Sequence, residues 1–143
     1  MKQAVVPSGL PFIGESANTR YFAAADDIVL VMPIEGSRDD EASARENVAF
    51  QMGHARKLGR RCGFVVFLGP LVSQDAQARR VYAEGMDPAL CFASALVVSN
   101  PLSRAIGSFF LGLSLPKIPT KLFDSVDAAI AWMDTVRGTT EAA

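Results

Sequence analysis

Three fully apolar runs punctuate the chain: Ile28-Val29-Leu30-Val31-Met32, Gly63-Phe64-Val65-Val66-Phe67-Leu68 and Ala93 to Val98. Each is too short for a helix and rich in β-branched or small residues, the pattern of a strand covered on both faces. Between and after them, hydrophobic positions recur at helical spacing. Ala44, Val48, Met52 and Ala55 line one such face, and Ala78, Val81 and Tyr82 a second. Leu102, Ile106, Phe109, Phe110 and Leu113 line a third, and Val126, Ala129, Ile130, Met133 and Val136 a fourth.

Polar residues mark where these helices begin. Ser37 suits the first N-cap with Asp39, Asp40 and Glu41 complementing the positive helix end, and Ser73 suits the second with Asp75 in its first turn. Asn100 suits the third, followed by Pro101 at the first helical position, and Asp124-Ser125 the fourth. Lys57, Gly59, Arg60 and Arg61 end the first helix, and Gly138 the last. Two more extended segments complete the set. Arg20 to Ala24 leads through Asp26-Asp27 into the run from Ile28, as in a hairpin, and Thr120-Lys121-Leu122-Phe123 follows the rigid Leu115-Pro116-Lys117-Ile118-Pro119 connection.

The order is therefore β-β-α-β-α-β-α-β-α. After the opening hairpin, alternating strands and helices imply right-handed parallel crossovers, so the fold class is α/β with a mixed, mostly parallel five-stranded sheet. Residues 1–18 read as a flexible arm able to dock on the domain, 19–138 as one domain and 139–143 as a frayed tail.

With 143 residues, half of them hydrophobic, and a net charge of −1, the chain has the make-up of one globular domain and lacks the basic surface of a nucleic-acid or anionic-membrane binder. Cys62 and Cys91 have neither CxxC spacing nor a neighbouring histidine, so they read as two buried free thiols with no metal. Pro7 and Pro11 interrupt the first residues, leaving neither a secretory core nor a membrane span, and a cytoplasmic location is expected. No cofactor is implied.

In such sheets ligands and partners meet the turns after the carboxyl ends of the strands. Here those turns are Gly69 to Ser73 and Ser99 to Ser103. Neither carries a phosphate-cradling glycine spacing, and no GxGxxG, P-loop or GxSxG is present. Ser99, Asn100, Ser103 and Arg104 offer helix-start N–H groups, hydroxyls and a guanidinium, enough to hold an anion or a partner. The alternative is that Asn100 caps, Ser103 satisfies the first turn and Arg104 pairs with a surface acid. His54 has no nucleophile or carboxylate beside it in sequence, and no catalytic residue is assigned. Phe109, Phe110 and Leu113, with Leu111 and Leu115, exceed what one buried stripe can hide. They are packed in the core, covered by a second copy or by the N-terminal arm, or wall an apolar ligand pocket.

The run Ser99-Asn100-Pro101-Leu102-Ser103-Arg104 through Leu113, then Pro116, Pro119 to Phe123 and the closing helix with Trp132, resembles a family of small bacterial proteins with the fold of sporulation anti-sigma factor antagonists, often labelled STAS/SEC14-like. The resemblance spans roughly residues 19 to 136 and is weaker upstream, at Asp75 to Arg80. It implies a STAS-like fold and a non-enzymatic regulatory module that docks a protein partner, with a homodimer or a lipid-type apolar ligand as the alternatives. In the better-understood antagonists a serine at the start of the helix after the third strand is phosphorylated, and its counterpart here is Ser73. The segment Val72-Ser73-Gln74-Asp75 lacks their Asp-Ser-Ser-Gly run.

Overall fold

The computed structural model describes residues 9–142, with side chains through Gly138. Asp26 and Asp27 turn the chain between β2 (Thr19–Ala25) and β3 (Ile28–Pro33), which pair antiparallel. From β3 the strands run parallel: β3 pairs β5 (Cys62–Phe67), β5 pairs β7 (Cys91–Val97), and β7 pairs β8 (Thr120–Phe123). The helices are α1 (Glu41–Leu58), α2 (Ala76–Gly85), α3 (Pro101–Leu113) and α4 (Val126–Ala142). The class is α/β, as the alternation implies.

The sheet has six strands rather than five, because β1 (Phe12–Glu15) adds antiparallel to the free edge of β2. Part of the expected arm is thus edge strand. Pro11 and Gly14 break the alternation that would have announced it. The first eight residues of that arm lie outside the described residues.

Two helix starts also differ from expectation. Ser37 opens a short strand, β4 (Ser37–Asp39), which pairs parallel with β6 (Leu71–Gln74), where Ser73 lies. The caps are Asp40 for α1 and Asp75 for α2, whose side chains accept from Ser43 N–H and Ala78 N–H at 2.9 Å each. Both aspartates are better placed than the serines because β4 and β6, which hold the serines, are kept extended by their mutual pairing. At the other end of α1, Gly59 takes the left-handed conformation (φ 70°) that only glycine adopts freely, as expected. Gly138 does not stop α4, which continues through the expected tail to Ala142; an interior glycine weakens a helix by about 1 kcal/mol without breaking it.

Strand alternation sorts the core onto two faces. Ile28, Leu30, Val65, Phe67 and Val97 meet Val126, Ala129 and Met133 of α4. Val29, Val31 and Phe64 face Met52 and Ala55 of α1, while Leu96 and Val98 meet Ile106 and Phe110 of α3. Gly63 permits α4 to sit close, since a Cβ there would come within 2.3 Å of Met133 Sδ. Arg137 then anchors the helix. Its guanidinium donates to both oxygens of the buried Asp27, at 2.6 and 2.8 Å, and lies 5.3 Å from the Phe92 ring centroid. No helix among the described residues is long and apolar enough to cross a membrane.

Candidate functional site at the carboxyl end of the sheet

β7 delivers the chain to the start of α3, and the polar residues there form a closed hydrogen-bond system. Asn100 caps α3, its side-chain oxygen accepting from Ser103 N–H at 2.7 Å. The Ser103 hydroxyl accepts from the N–H groups of Ser99 (2.9 Å) and Asn100 (3.0 Å) and donates to the Asn100 carbonyl (2.9 Å). Ser103 is wholly buried. The donors that an anion would need at this turn are thereby committed to the protein itself. Arg104 is also engaged: it pairs with Asp124 at 2.5 Å, tying α3 to the chain ahead of α4. Ser73, partly exposed on β6, stands two residues ahead of the Asp75 cap and not at a helix start.

What remains open at this end is apolar. One helix is about 10 Å across and strands lie about 4.8 Å apart, so a single helix covers roughly two strands of a face. α4 packs mainly on β5, β7 and β8 and covers Ile28 and Leu30 of β3, while Phe22 and Met32 beyond them are only partly buried. There Phe12 is 57% exposed, edge-on to Phe22 with ring centroids 5.7 Å apart. Where the strands end, this apolar strip closes into a groove of about 480 Å³ between Phe22, Met32, Ile34, Phe67 and Pro70, with Ser99 on its wall. Arg20 and Glu35 add one charge of each sign to its lining. Ser99 is thus the predicted polar site residue that lines this groove.

The surplus apolar residues of α3 divide. Phe110 is buried, but Leu102, Phe109 and Leu113 are 49%, 57% and 68% exposed. At about 100° per residue these three fall within about 40° of one another around the helix, forming a stripe beside the buried face rather than part of it. The core accounts for Ile106 and Phe110 alone.

On the opposite side of the sheet lies a feature the sequence reading did not single out. The paired ends of β4 and β6 put Asp39 next to Gln74, and α1 adds Asn47 and Gln51, one turn apart. Asn47 is saturated: its amide donates to Asn18 Oδ1 and the Tyr82 hydroxyl, both at 3.0 Å, and accepts from Ser16 (2.6 Å) and Tyr21 (2.8 Å). Asp39 accepts from Ser43 at 2.6 Å and from Gln74 Nε2 at 3.3 Å. Burial pushes the Asp39 carboxyl above its ordinary range, against the pull of these hydrogen bonds, and lifts the Tyr21 and Tyr82 hydroxyls as well. The cluster borders a chamber of about 60 Å³ whose remaining walls include Val66, Leu68, Leu96 and Phe110. The legible signal was polar residues on the otherwise apolar face of α1, where Asn47 and Gln51 are buried alongside Ala44, Met52 and Ala55.

The thiols are unsuited to nucleophilic work. Cys62 and Cys91 sit side by side at the starts of β5 and β7, both buried and free. Burial raises both, Cys91 to about 12, so neither is a thiolate near neutrality. His54 is half-buried on α1, its pKa lowered by burial and by Lys57.

No curated protein and no solved structure matches the chain. The model of one family, a domain of unknown function designated DUF7793, matches residues 22–137, from the middle of β2 to the Arg137 anchor, and the chain belongs to that family.

Proposed function

We propose that the protein is a non-enzymatic regulatory module that docks a partner protein at the carboxyl end of its sheet, the role implied by its resemblance to the STAS-like antagonists. The observation that carries this reading is the groove between Phe22, Met32, Ile34, Phe67 and Pro70, an apolar strip that α4 leaves partly open. Apolar area of this kind is what a partner's side chains desolvate on docking, and residues at the centre of such a patch dominate affinity. The reading of an apolar-ligand carrier draws less support. The internal chamber, at about 60 Å³, is less than half the ~150 Å³ that admits benzene, and has no room for an acyl chain.

The test places a photo-crosslinking benzophenone amino acid at position 34, in the groove, and at position 45, on the outer face of α1. Crosslinking to one partner from position 34 alone is expected. In binding measurements with that purified partner, Ile34→Glu should weaken affinity by about tenfold or more, while Val72→Glu, equally exposed outside the groove, should not. Equal affinity of Ile34→Glu and the wild type would overturn the reading.

A further inference from the structure

Surface helices present charged residues to water, as α1 does with Glu41, Arg45 and Lys57, α2 with Arg80 and Glu84, and α4 with Asp127 and Asp134. α3 departs from this. Its one charge, Arg104, is drawn to Asp124, and after Pro101 its exposed side is otherwise Leu102, Ala105, Ser108, Phe109, Gly112 and Leu113. Within that side the sizes alternate. Leu102, Ala105, Phe109 and Gly112 follow one another at steps of three, four and three residues, the a and d positions of a heptad seam, with a large residue at each a and a small one at each d. At about 100° per residue the seam is about 80° wide and centred about 120° from Arg104. Gly112 is not required by the chain's own packing: its φ is not positive, and a Cβ there would meet nothing within 4 Å.

The seam is complementary to itself. Gly107 is the midpoint of α3, five residues from both Leu102 and Gly112 and two residues from both Ala105 and Phe109. Two such helices laid antiparallel about that point therefore set every large residue against a small one, the arrangement that lets facing layers interdigitate. The area is sufficient as well. Leu102, Phe109 and Leu113 are about half exposed or more, and Leu115, just past the helix, is 91% exposed. At roughly 200 Å² for a large apolar side chain they leave on the order of 500 Å² per copy, so pairing removes about 1,000 Å² from water, the least that supports a specific interface.

We propose that α3 is the interface of a homodimer in which two copies pack this seam antiparallel, each Leu102 over the partner's Gly112 and each Phe109 over the partner's Ala105. An area at the lower limit gives a dimer of about micromolar affinity. None of these residues lines the docking groove, so dimerisation stands apart from partner docking.

Sedimentation equilibrium of the full-length chain from about 1 to about 500 µM should show a mass rising from 15.3 kDa toward twice that value. Phe109→Glu, at a position open to water in the monomer, should weaken association at least about tenfold, and Gly112→Gln should do so without lowering the stability of the monomer. Ile34→Glu, in the groove, should associate as the wild type does. The register is read by disulfide formation under a mild oxidant: an equimolar mixture of Leu102→Cys and Gly112→Cys chains should crosslink, and neither variant alone, because like positions would stand about 15 Å apart along the paired helices. A mass of 15.3 kDa at every concentration overturns the proposal. So does association that survives both Phe109→Glu and Gly112→Gln, or crosslinking as ready between like variants as in the mixture.

Discussion

Ser103→Ala removes one hydroxyl and tests whether the start of α3 is held by its own polar residues. That oxygen accepts from two backbone N–H groups, at 2.9 and 3.0 Å, and donates to a carbonyl at 2.9 Å, at a position with no solvent exposure. A buried donor left unsatisfied costs about 1–3 kcal/mol. Ser99 and Asn100 themselves are partly exposed, so water can reach their amides in part, and the lower end of that range applies to each. Alanine returns about 0.5 kcal/mol through its better helix propensity. The net expectation is a loss of about 1.5 kcal/mol, or roughly 5 °C in Tm for a domain of this size. Urea denaturation and calorimetry read both quantities. Asn100→Ala should lose about 1 kcal/mol as an ordinary N-cap, and the double variant less than the sum, because both residues serve one capping box. A loss under about 0.5 kcal/mol for Ser103→Ala, or strict additivity, would refute the account of this turn as a closed unit and reopen it as an anion site.

Two further outcomes follow from titrations and thiols. Because burial raises the Asp39 carboxyl in the folded state, its stabilising contribution is complete below its ordinary value of 3.8 and is lost as pH rises through the folded pKa. The stability of the wild type relative to Asp39→Asn, followed by denaturation from about pH 3.5 to 7, should therefore fall with rising pH; a constant difference would show that the carboxyl is not perturbed. Cys62 and Cys91 should resist an aromatic disulfide reagent at pH 8 until the protein unfolds, with labelling that tracks the unfolding rate. Fast modification of either in the native state would contradict their burial.

The parallel strands, the four helices and the Asn100–Ser103 cap were legible because each rests on a local pattern: unbroken apolar runs, helical spacing, a proline at the first helical position. β4 and β6 were not, since three or four residues establish no period and their pairing joins positions more than thirty residues apart. Missing them shifted the expected caps from Asp40 and Asp75 to Ser37 and Ser73. The candidate site was legible in part. Ser99 lines the groove, but Asn100, Ser103 and Arg104 spend their hydrogen-bonding capacity on the fold. The groove itself depends on how far one helix reaches across a sheet face, a tertiary fact. The chamber draws its polar groups from positions 18 to 120, and its only local trace is the amide pair on α1.

The Arg137–Asp27 pair joins residues 110 positions apart, the hairpin turn and the last helix. A chain cut before Val126 would leave Asp27 a carboxylate in an apolar pocket with Arg60, at 3.2 Å, beside it. Because the two partners are so far apart in sequence, closing the loop between them is a non-local step, and the hairpin should gain its full protection from proteolysis only when the last helix docks.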